Sequence, residues 1–172
     1  MLVRAEGNPK LASKVSEAII DFSFHPVIGE KFASQYLINR IHTLCATTGK
    51  QNVKGLIQQL ELLYKFITSF GLKTTGPLEP VNIFETIQIS LVHKDQGVRK
   101  ISSKILFEIH SKTGFVDTEL LRDLPKNIRD ALLKKLKEVK VEKSSDFEPR
   151  QQTDNSAEKL QLNENLKDWG ER

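Results

Sequence analysis

From residue 9 to about residue 140, apolar residues recur at three- and four-residue intervals rather than at alternate positions, the spacing of amphipathic helices and not of strands. Proline and glycine break this pattern at "FHPVIG", "TTGKQN", "FGLKTTGPLEP", "HKDQG" and "KTGFVD". The pattern predicts helices over about 9–23, 27–47, 51–70, 79–92, 96–112, 117–122 and 126–140. Each joint is short enough to fold its two helices back as an antiparallel hairpin.

The segment "KDQGVRKISSKILFEIH" at residues 94–110 is the clearest of these units. Its apolar face reads Val98, Ile101, Ser102, Ile105, Leu106 and Ile109, with Asp95 placed to cap the helix and Arg99 beside the stripe. The same register recurs as Val53, Leu56, Ile57, Leu60 and Tyr64, with Asn52 before the stripe and Lys54 in the place of Arg99. It recurs again as Leu11, Val15, Ala18, Ile19 and Phe22 after Asn8, and as Ile128, Ala131, Leu132, Leu136 and Val139 with Arg129. The intervals between stripe starts are 42, 45 and 30 residues. With two helices per unit, a period in the low forties falls in the ~40–47 residue range of HEAT and armadillo repeats, and a shorter last unit suits a terminal cap. The expected fold is therefore all-α: antiparallel hairpins stacked as a HEAT-repeat solenoid, each hairpin covering the face its neighbour leaves bare. In that frame Arg99 is expected to reach the neighbouring repeat with its fork of donors.

After about residue 140 the apolar residues thin out in favour of Ser, Gln, Asn, Asp and Glu. Such a composition cannot offset its ordering entropy, so the expected organisation is a helical domain at 5–140 and a disordered polar tail at 141–172. Trp169, the single tryptophan, lies in that tail, either as a short docking motif or as an unselected exposed aromatic.

The formal charge is +4, and it is uneven: the helical part is basic and residues 143–172 are net acidic. A basic body suits an acidic partner, and equally a merely solvated surface. No apolar run approaches the ~20 residues that span a bilayer, and the N-terminus lacks the apolar segment of a secretory signal, so a cytoplasmic place and no membrane partner are expected. Cys45, the only cysteine, excludes an internal disulfide and fits core packing. His25, His42, His93 and His110 never pair at helical spacing, so no metal or other cofactor is expected. There is no phosphate loop, nucleophile elbow or HExxH, and Gly49-Lys50 lacks the upstream glycine of a Walker motif, which argues against an enzyme. Lys134, Lys135, Lys137, Lys140 and Lys143 form a basic cluster without interleaved aromatics, thin support for nucleic-acid binding.

"GNPKLASKVSEAIIDFSFHP" and "HKDQGVRKISSKILFEIHSKTG" resemble the second helices of HEAT repeats in TOG domains, the tubulin-binding arrays of microtubule plus-end proteins. Within that family the likeness is to a centrosomal and ciliary-tip member that also carries a jelly-roll domain and zinc fingers. The resemblance spans about residues 5–140. It implies a cytoskeletal protein with tubulin as partner, other centrosomal or ciliary proteins beside it, and no catalysis. In that family the loops joining the two helices of each repeat line one edge and touch tubulin. Here those positions are Asn8, Pro9 and Lys10; Thr48, Lys50, Gln51 and Lys54; and Lys94, Asp95, Gln96, Arg99 and Lys100. The alternatives are that Lys10, Lys50 and Lys94 are solvated lysines and that Arg99 braces the solenoid.

Two departures from the family pattern matter. A full TOG domain has about six repeats, whereas this sequence holds one second helix, two hairpins and a cap, as expected of a fragment or short isoform. The tryptophan that many TOG domains present from the first loop has no counterpart among these positions. The first helix would lack its hairpin partner, leaving Leu11, Val15, Ile19 and Phe22 partly uncovered and prone to self-association. A generic scaffold that binds a peptide or helix on its concave face is the second functional expectation.

Overall fold

The computed structural model describes residues 9–25, 29–46, 50–114, 121–139 and 141. These residues form six helices and no strand: α1 (Pro9–Ser23), α2 (Gly29–Ala46), α3 (Lys50–Phe70), α4 (Pro80–Leu91), α5 (Gln96–Thr113) and α6 (Lys126–Glu138). Helices from 9–23, 51–70 and 96–112 thus appear within a residue of their sequence-based limits. The segment expected at 117–122 lies mostly outside the described residues, although Leu121 is buried. The tail beyond Val141, with Trp169, also lies outside them.

The helix ends follow from local chemistry. Pro80 opens α4, where its missing N–H costs nothing. Asp95 is the N-cap of α5, its side chain accepting the Val98 N–H at 3.1 Å. Gly114 closes α5 in the left-handed region at φ 65°, where its N–H donates to the His110 carbonyl at 2.8 Å.

Packing is that of a solenoid. The hairpin partners α2–α3 and α4–α5 pack against each other, α2 packs on α4, and α1, α3, α5 and α6 pack in succession. Residues separated by one repeat therefore meet: Ile57 approaches Gly97, and the Lys104 ammonium lies 3.9 Å from the Tyr64 ring centre. A constant offset of 40 residues at both places means that α3 and α5 run in the same direction, with their N-termini at one end. The rings of Phe24 and Phe70, just past α1 and at the end of α3, lie 4.5 Å apart, which gives α1 that direction too. On the other layer, the Thr86 hydroxyl is 3.4 Å from His42 Nε2, joining α4 to α2.

The core runs through the centre of this stack. Ile41, Leu60, Leu63, Phe66, Ile67, Ile83, Ile87, Val98 and Ile105 are all 0% exposed. At ~1.5–3 kcal/mol for each fully buried aliphatic or Phe side chain, this cluster is the main favourable term in the fold. Ser102, on the apolar face of α5, is fully buried because a small residue is needed where α5 meets α4, and its hydroxyl donates to Ser90 Oγ at 2.8 Å. The α1 stripe differs: Val15 and Ile19 are half-buried, while Leu11 and Phe22 are 43% and 63% exposed. The bare face expected there is present.

Candidate functional site

Because α1, α3 and α5 are parallel, their N-termini form one rim of the stack. Lys10 begins on α1, Lys54 sits one turn into α3, and Lys94, Gln96 and Lys100 surround the start of α5; all five side chains are exposed. Asn8 and Thr48 lie outside the described residues, and of Lys50 only its helical place at the start of α3 is described.

The α4–α5 loop is stitched together by its own side chains. The Asp95 N–H donates to His93 Nδ1 at 3.1 Å, while its carboxylate holds the Val98 N–H. Arg99 Nη1 donates to the carbonyls of His93 at 2.7 Å and Lys94 at 2.8 Å. The sequence reading gave Arg99 to the neighbouring repeat. Instead it folds back on the loop that precedes it, where two backbone carbonyls accept from the same guanidinium nitrogen. Arg99 is thus a brace, but of its own hairpin. These bonds order the backbone of the loop that carries Lys94 and Gln96, which lowers the cost of ordering that loop on contact.

Charge separates the two rims. On the far rim, Lys73 pairs with Glu30 at 3.2 Å beside a cleft of about 260 Å³. On the near rim, Lys54, Lys94 and Lys100 have no carboxylate within salt-bridge distance among the described residues. The N-terminal N–H groups of the three helices add positive potential at the same edge.

A second basic feature escaped the sequence reading. Gln96, Arg99, Lys100, Ser103, Lys104, Phe107 and Lys135 line a shallow groove of about 500 Å³ along α5 towards α6. The i, i+4, i+8 spacing of Gln96, Lys100 and Lys104 put them on one helix face, but only the docking of α6 brings Lys135 beside them. Cys45 is half-buried, and desolvation pushes its thiol above the usual range. No group of three or more His, Cys, Asp or Glu that could hold a metal occurs among the described residues.

A family profile of the XMAP215/Dis1/CLASP TOG domain matches residues 33–142, from within α2 through α6. The chain belongs to the TOG-domain family. No curated protein and no solved structure gives a significant match to it. The α4–α5 hairpin, α6 and all but the first four residues of the α2–α3 hairpin fall inside the matched region, so the α3 and α5 loop positions of this TOG domain lie within it and α1 with Lys10 lies before it.

Proposed function

We propose that this TOG domain is a non-enzymatic tubulin-binding module that uses the near rim, with Lys10, Lys50, Lys54, Lys94, Gln96 and Lys100 as contacts, Asn8 and Thr48 beside them, and Arg99 as the brace that fixes the α4–α5 loop. The observation that carries the reading is the asymmetry of the rims: helix N-termini with Lys54, Lys94 and Lys100 outside salt-bridge distance of any carboxylate among the described residues on one, an ion pair on the other. A positive, water-exposed ridge attracts an acidic protein surface and speeds encounter. The working domain is residues 5–140, with 141–172 as a polar appendage. The place of action is the microtubule cytoskeleton, at plus ends, centrosomes or ciliary tips, a reading supported by family membership and by the resemblance in "HKDQGVRKISSKILFEIHSKTG". No described helix is long and apolar enough to cross a membrane.

The test is gel filtration with αβ-tubulin at low salt. Co-elution of the wild-type chain, weakened roughly tenfold or more by the combined Lys54→Glu, Lys94→Glu and Lys100→Glu changes, is expected, since each like-charge juxtaposition costs affinity. Retention of full binding after these reversals would remove the rim and transfer the site to the broad faces of the stack, the scaffold alternative.

A further inference from the structure

We propose that the basic groove on α5 is a docking site for a segment of the same chain, Asp146-Phe147-Glu148, and that its occupancy masks part of the tubulin-binding rim. Among the described residues the groove has no acidic lining residue, and Lys100, Lys104 and Lys135 line it with the half-buried Phe107, beside an Arg99 whose Nη1 is held by the loop carbonyls and a Lys104 whose ammonium lies over the Tyr64 ring. Glu108, the nearest carboxylate on α5, is taken by Lys112 at 3.3 Å and does not offset them. The segment offers the complementary order: a carboxylate, an aromatic ring and a carboxylate in consecutive positions.

Reach and direction agree. A Cβ added at Gly114 would lie 3.3 Å from Val141, so the chain leaves α6 beside the C-terminal end of α5. Phe107 lies seven residues back along α5, about 10 Å away at the helical rise. The six residues from Val141 to Phe147 extend up to about 20 Å, enough to set the ring against Phe107 and the carboxylates among Lys100, Lys104 and Lys135. So short a tether gives an effective concentration in the millimolar range, which lets individually weak, screened ion pairs act together. The occupied groove would cover Lys100 and the outer side of Arg99, both at the rim. This masking rests on the tubulin reading above; the docking itself does not.

The test is zero-length carbodiimide coupling of the full chain at low micromolar concentration, read by mass spectrometry, with an equal mixture of isotope-labelled and unlabelled chains. Links from Lys100, Lys104 or Lys135 to Asp146 or Glu148, within single chains and lost in roughly 0.5 M salt, are expected. Links spread evenly over distant lysines such as Lys14, Lys31 and Lys65, or formed mainly between labelled and unlabelled chains, would overturn the proposal. In a second arm, the full chain with Phe147→Ala, which leaves the net charge unchanged, should bind tubulin several-fold more tightly at low salt. Unchanged tubulin affinity alongside the expected links overturns the masking. A chain that links as expected but binds no tubulin at all defeats the earlier reading and leaves the docking standing.

Discussion

α5 and α1 are built on one apolar spacing, yet the first is sunk in the core and the second is half bare. On α5, Val98, Ile105, Leu106 and Ile109 are at most 2% exposed, because α3, α4 and α6 surround it. On α1 the equivalent positions meet only α2 and α3, and Phe22 stays 63% exposed. The amphipathic pattern therefore states what a helix needs to cover, and the number of neighbours decides how much of that need is met. Stability in such a stack is close to a sum of local interfaces, so it should be high in the middle and low at α1.

The largest expected effect breaks the comparison at its buried end. Ile105→Ala should lower unfolding stability by about 2–5 kcal/mol, and Leu11→Ala by well under 1 kcal/mol, in paired urea titrations. Equal losses would mean that α1 is as well packed as α5. Next comes the loss of the α5 cap: Asp95→Ala should cost about 0.5–2 kcal/mol, with Asp95→Asn largely retaining stability, since the cap bond needs an acceptor and not a charge. The smallest effect belongs to the bare face. Phe22→Ser should change thermal stability by no more than about 0.5 kcal/mol while reducing any concentration-dependent association seen by light scattering.

Much of this arrangement was legible in residue order. Helix limits were readable because apolar spacing, Pro80, Asp95 and Gly114 all act within a turn or two of where they stand. The solenoid was readable because the stripe at Val53 returns at Val98. What could not be read depended on contacts across the fold. Arg99 takes the carbonyls of the loop before it, and sequence spacing does not say whether an arginine turns back on its own hairpin or reaches across to the next. The groove needs Lys135 from a different helix, and its cations look like solvated face positions until α6 is docked. The buried Gln59, whose Oε1 has no hydrogen-bond partner among the described residues, sits at a position that spacing alone would reserve for an apolar side chain.

Gly97 looked like a joint, a mark of where "HKDQG" must turn. It lies in the first turn of α5, and the atom it lacks is what matters: a Cβ there would stand 3.0 Å from Ile57 Cδ1 and 3.1 Å from Asp95 Oδ1. One absent methyl group thus lets two successive repeats nest at their rim end. A methyl group there would make the end of the Ile57 side chain and the capping carboxylate of Asp95 yield by a few tenths of an ångström, so the fit between one cationic loop and the next is set at the scale of a single atom.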